Sequence, residues 1–174
     1  MNLHKLITDS MCTACVNVFS TMLAQELPSP DVSIDLGTPE PTVGVVSFIG
    51  IAGQWAGTGS ISCSPALACR ICSNMLMIEA TSVDADVLDA VAELTNMIIG
   101  SVKTDLEVHL GPLGLSIPTV VYGHNFKTKS AGHHEWIGVT YRWEGEPLTL
   151  KLCLAPQLPP MHTNGHSHLY TLEV

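Results

Sequence analysis

Near the start of the chain, Leu6, Cys12, Val16, Phe19 and Leu23 fall on or near one face when successive residues turn by about 100°. That periodicity predicts an amphipathic helix over residues 3–26. Pro28, Pro30, Pro39 and Pro41 then forbid helix, so residues 27–42 become an extended connection with room for a short strand at 32–36. Residues 43–52 and 57–63 read as strands joined by a Gly-bearing turn at 53–56, which favours a hairpin. Ser64 can cap a helix over 65–77 that has Pro65 at its first position. Thr81 or Ser82 can cap a longer one, with Asp84 and Asp86 in its first turn, running to about residue 108 before Gly111 and Pro112. Strands follow at 115–122, 135–143 and 147–154, the last two bridged by a turn at Gly145.

Helices segregated from an antiparallel meander make an α+β fold, an antiparallel sheet with helices packed on it. The meander ends at Leu154, and its edge strands need cover. Residues 1–154 then form one domain. Residues 155–174, with Pro156, Pro159, Pro160 and three histidines, read as an appended, loosely ordered extension.

Composition narrows the function. Of 174 residues only 13% are charged, against about a quarter in an ordinary domain, so the surface is bland and part of it should be covered by a partner. Sixteen Asp and Glu outnumber seven Lys and Arg, and no basic cluster exists to hold phosphate backbones, which argues against nucleic acid. A mean hydropathy of +0.31 excludes disorder for most of the chain. The longest apolar stretch, 43–56, contains Ser47, Gln54 and three glycines and falls short of the roughly eighteen apolar residues a membrane span needs. Asp9, Ser10 and Asn17 interrupt residues 1–23, which read as a helix of the domain rather than a secretion signal, so the expected location is the cytoplasm.

Six cysteines include two Cys-x-x-Cys pairs, Cys12/Cys15 and Cys69/Cys72, which could assemble a tetrahedral zinc site or a redox couple. Both pairs lie in helix-like apolar runs without a Gly or Pro knuckle, where a thiol behaves as a small hydrophobe, so core packing is the leading reading. A disulfide framework ranks below these. His133, His134, His162, His166 and His168 have chelating spacing, but Gly and Pro around the last three supply no rigid frame, and no metal site is expected. Trp55 reads as a packing or interface residue, and Met75, Met77 and Met97 read as core.

The long helix carries the chemistry. Asp89, Glu93, Asn96, Gly100 and Lys103 recur at spacings of four and three, so they form one narrow polar stripe opposite Val87, Val91, Leu94, Ile98 and Val102. Such a stripe is commonly just a solvated face. Two details set this one apart: Asn is a poor helix former in mid-helix, and Gly100 costs about 1 kcal/mol relative to Ala. A carboxylate and an amide side by side above a glycine make a surface on which another backbone can rest.

Asp89, Glu93, Asn96 and Pro118 resemble the signature of the CheC, CheX and FliY family of chemotaxis phosphatases: Asp or Ser, three residues, Glu, two residues, Asn, and a Pro a little over twenty residues on. The gap to Pro118 is one residue shorter than that pattern. Ser73-Asn74-Met75-Leu76, Asn96-Met97-Ile98-Ile99-Gly100 and Ser116-Ile117-Pro118-Thr119-Val120 are similar as well, and the resemblance spans residues 1–154. It implies a pseudo-symmetric fold with a long motif-bearing helix. It also implies hydrolysis of the aspartyl phosphate of a CheY-like response regulator in chemotaxis or two-component signalling. Glu93 and Asn96 would be catalytic, with Asp89, Gly100 and Pro118 shaping the docking surface. The chain would need no cofactor of its own, since Mg²⁺ belongs to the regulator. Ser10, Ala14 and Asn17 would be a degenerate second motif on the first helix. A single intact motif is most similar to the CheX type, which implies a homodimer through the β-sheet. The alternative is a non-catalytic adaptor of the same fold that binds a regulator or flagellar-switch partner.

Overall fold

A computed structural model describes residues 2–36, 42–128 and 135–157. Its elements in order are α1 (Leu3–Met22), β1 (Asp31–Asp35), β2 (Thr42–Gly53), β3 (Trp55–Cys63), α2 (Pro65–Leu76), α3 (Ala85–Leu110), β4 (Leu113–Leu115), β5 (Thr119–Phe126), β6 (Trp136–Trp143) and β7 (Glu146–Pro156).

Capping chemistry sets the helix ends. Asn2 Oδ1 accepts the Lys5 N–H at the start of α1, which ends at Met22 with Leu23 as its C-cap rather than continuing to residue 26, because Ala24 takes a left-handed φ of +51°. Ser64 Oγ accepts the Leu67 N–H at 3.1 Å, and α2 begins at Pro65 as its sequence predicts. The cap of α3 is Asp84, not Thr81 or Ser82. Its Oδ1 accepts the Val87 N–H at 3.1 Å, and a carboxylate there adds a charge favourable to the helix dipole. Met77, expected in the core, is instead 94% exposed. It stands in the left-handed conformation immediately after α2, outside the apolar face of that helix.

The single strand expected at 115–122 is two strands, β4 and β5. Pro118 has no N–H to give a ladder, and Ser116 holds the break against β2: its N–H donates to Gly50 O and its Oγ accepts the Gly50 N–H, both at 2.9 Å. The sheet has seven strands in the order β1-β6-β7-β3-β2-β4, with β5 also paired to β2. Its pairs are antiparallel. Two hairpins, β2–β3 and β6–β7, join where β3 pairs β7 from Cys63↔Leu148 to Trp55↔Pro156. The last strand is therefore central, and the edges fall at β1 and at β4 and β5. The ladder passes residue 154 to include Ala155 and Pro156, and the Gln157 N–H then donates to Gln54 O at 2.9 Å. The rest of the expected extension, 158–174, lies outside the described residues.

The alternation of each strand sends Val45, Ile49, Ile61, Val139, Tyr141, Leu148, Leu150 and Leu152 into one core with the three helices. From α3 that core takes Val87, Val91, Leu94, Ile98 and Val102, all fully buried, as their periodicity predicts. Gly59 on β3 lets α3 sit close, because a Cβ there would come within 2.7 Å of Ile99 Cδ1. From α1 the Phe19 ring meets the Trp143 ring edge-on, with centroids 5.2 Å apart. Trp55 is half-buried and packs against this core. No helix among the described residues is long and apolar enough to cross a membrane.

The two faces of α3 should respond differently to truncation. Leu94→Ala removes a wholly buried side chain and is expected to cost about 2–5 kcal/mol in chemical denaturation. Glu93→Ala, at the adjacent exposed position, should change stability by no more than about 0.5 kcal/mol.

Candidate functional site on helix α3

Because the apolar side of α3 is held on the sheet, the opposite side presents Asp89, Glu93 and Asn96 exposed and Gly100 half-buried one turn further on. Among the described residues, none of the Asp89, Glu93 and Asn96 side chains is engaged in a hydrogen bond or ion pair. The carboxylates and the amide are free to meet a group from outside the chain.

Lys103, the last member of the predicted stripe, is committed internally. Its Nζ lies 2.9 Å from Glu107, and Glu107 also accepts the Leu113 N–H at 2.8 Å. The amide bond from Leu113 first, and then Lys103, hold the Glu107 carboxyl below its ordinary range. Glu107 thus ties the end of α3 to β4, a role that sequence reading missed although the i,i+4 spacing from Lys103 was visible. Pro118 is half-buried in the 116–118 link between β4 and β5, both of which pack on α3. Beside it Ile117 is 87% exposed, an apolar side chain that periodicity did not single out.

The proposed second motif is not a surface. Helix α1 packs on α3 and β6 and buries Ser10 and Ala14, leaving only Asn17 exposed. The positions of the same spacing that face outward are Asp9, Thr13 and Val16, with Asp9 held by Lys5 at 2.6 Å. Threonine and valine stand there in place of a glutamate and an amide, so α1 offers no second carboxylate–amide pair.

All six cysteines are free, and all but Cys12 are buried. Burial pushes the thiols of Cys15 and Cys63 up to about 12, which keeps them protonated and poor as nucleophiles or ligands. Burial raises those of Cys69 and Cys72 too, with the charge of Asp84 adding to it. Core packing is the reading that fits these thiols. Among the described residues no group of three or more His, Cys, Asp and Glu could hold a metal ion. His133, His134, His162, His166 and His168 lie outside the described residues. A half-open apolar cleft of about 350 Å³ lies between the start of α1 and the ends of β3 and β7, with the His4–Glu135 pair at 2.9 Å among its lining residues. No residue of α3 lines it.

The molecule is an α+β protein, a seven-stranded antiparallel sheet with helices packed on it, and α3 presents a free carboxylate–amide pair on its exposed face. Residues 45–141 match the family described as Chemotaxis phosphatase CheX, more than half of the chain, and the chain belongs to that family. The CheY-P phosphatase CheX of Thermotoga maritima is 38% identical over 90 residues, which make up 51% of this chain and 57% of that protein. The chain therefore spans a little over half the length of this curated relative. A CheC-like superfamily protein from Shewanella sp. PV-4 shares the fold with a TM-score of 0.74 and 26% identity, over 89% of this chain and 99% of that one. The CheX of a CheX–CheY–BeF₃–Mg²⁺ complex from Borrelia burgdorferi superposes with a TM-score of 0.71 and 22% identity, over 85% and 97% of the two chains.

The Glu107 clamp has a pH signature. A carboxylate lowered in the folded state contributes stability that is present above its ordinary value of 4.5 and is lost as pH falls through the lowered value. Glu107→Gln should therefore be less stable than wild type at pH 7. The gap in denaturation midpoint should narrow as the pH is taken progressively below 4.5.

Proposed function

We propose that this protein hydrolyses the aspartyl phosphate of a CheY-like response regulator. The observation that carries the reading is the pairing of Glu93 and Asn96, both exposed and unengaged on one face of α3 and both inside the segment that matches the CheX family. The activity in the name of the Thermotoga relative, and the CheY bound in the Borrelia complex, support it.

An acyl phosphate is already reactive. Water attacks phosphorus, the bond to the aspartyl oxygen breaks, and the products are the free carboxylate and inorganic phosphate. Most of the catalytic task is to place that water in line and support a loose transition state. Asn96 suits the task because an amide accepts from the water while donating to a phosphoryl oxygen. It is also neutral, so it adds no repulsion toward an anionic group. Glu93 serves a different end, an ion pair with the lysine of the regulator's active site, which fixes the register of the two proteins. Asp89 and Pro118 shape the docking surface around this pair. The Mg²⁺ that accompanies the phosphoryl group is held by the regulator's own carboxylates. The working location is the cytoplasm, where response regulators act.

The decisive assay mixes the protein with a ³²P-labelled CheY homologue. Wild type should accelerate loss of label, and Asn96→Ala should lower the rate about 100-fold, the scale of a misplaced reactant. Glu93→Ala should weaken affinity for the regulator about tenfold, the scale of ~1.4 kcal/mol. Binding of every cognate regulator without acceleration would leave the adaptor reading in place of the enzyme.

The chain acts as a homodimer formed through its sheet. Edge strand β1 supports this, since Val32 and Ile34 stay 53% and 52% exposed there, beside Leu36 at 67%. Light scattering should give twice the 18.6 kDa chain mass, and Val32→Lys with Ile34→Lys should return the monomer.

A further inference from the structure

Resting on that reading, we infer that Gly100 is where the partner's main chain touches α3, and that its missing side chain sets how closely a regulator approaches Asn96. Glycine in mid-helix is unfavourable, so its presence calls for a reason. At two glycines of β3 the reason is internal. A Cβ at Gly59 would strike Ile99, and one at Gly57 would come within 1.8 Å of Cys153 O. At Gly100 the backbone is ordinary helix, and a Cβ would meet nothing within 4 Å. The fold would accept alanine there without moving an atom.

The position is nevertheless on the active face. Gly100 follows Asn96 by four residues and Glu93 by seven, so it continues the stripe by one turn. Thr104 Oγ1 donates to Gly100 O at 3.0 Å, which keeps the hydroxyl turned back on the helix rather than standing over the gap. What remains is a bare patch of helix backbone beside the Asn96 amide. It fits an extended loop segment whose peptide backbone lies flat on the helix, delivering the phosphorylated side chain toward Asn96. Each methyl added at residue 100 would hold that loop, and the phosphorus with it, away from the amide.

The test separates stability from recognition. Gly100→Ala should raise the thermal midpoint, because alanine favours helix and meets open space. The same variant should weaken binding of a CheY homologue carrying BeF₃ by at least tenfold and lower the rate of dephosphorylation at subsaturating regulator. Gly100→Leu should weaken binding further while remaining folded. A more stable Gly100→Ala with wild-type affinity and rate overturns the inference. A destabilised Gly100→Ala overturns it too, because the glycine would then serve the fold. If wild type neither binds nor dephosphorylates any cognate regulator, the phosphatase reading falls, and this inference with it. A working wild type with an indifferent glycine refutes the inference alone.

Discussion

Every other feature of the molecule depends on the seating of α3 on the sheet. Its apolar face, from Val87 to Val102, is buried against strands whose alternate residues point the same way, and Gly59 opens the space that Ile99 fills. Burial on that scale holds the helix against rotation, because turning it would lift several large side chains out of the core at once. The direction in which Glu93 and Asn96 point is therefore decided on the far side of the helix, by residues buried in the core.

This division of labour suits the proposed chemistry. Hydrolysis of an acyl phosphate needs position more than power, and position is what a rigid, well-packed helix supplies. The site carries no strained backbone: the positive φ values among non-glycine residues fall at Ala24, Met77, Asn125 and Glu144, none of them on α3. The ends of the helix are held by independent devices, the Asp84 cap at one and the Glu107 bonds to Lys103 and Leu113 at the other. Between them, the polar groups that matter are left uncommitted.

The acidic balance also takes on a sharper meaning. The formal net charge is −9, which argues against nucleic acid. On α3, Asp86, Asp89 and Glu93 are all exposed on the polar side, an acidic strip beside the neutral amide of Asn96. The bland remainder of the chain is concentrated in the sheet, where the strand positions opposite the core carry Thr58, Ser60, Ser62, Thr140 and Thr149. The Thr140–Thr149 contact at 3.0 Å joins neighbouring β6 and β7, and the Lys151–Asp35 pair at 2.9 Å reaches across β6 from β7 to β1.

The sequence by itself determined the local elements and the polar stripe, because period, caps and proline act over a few residues. The helix faces, the Ser64 cap, the β2–β3 hairpin and the set Asp89, Glu93 and Asn96 were all legible in that way. Only the tertiary structure decided how the pieces meet, since that depends on contacts between residues far apart in the chain. It made β7 central by docking one hairpin on the other and split the strand at Pro118 through a bond between Ser116 and Gly50. It also took Ser10 and Ala14 out of consideration as a second site, because the same spacing on α1 faces the core in one register and solvent in the next. It separated Gly59, which the fold requires, from Gly100, which it does not. Two glycines are identical in a sequence, and only the atoms around each show whether a side chain would find room there.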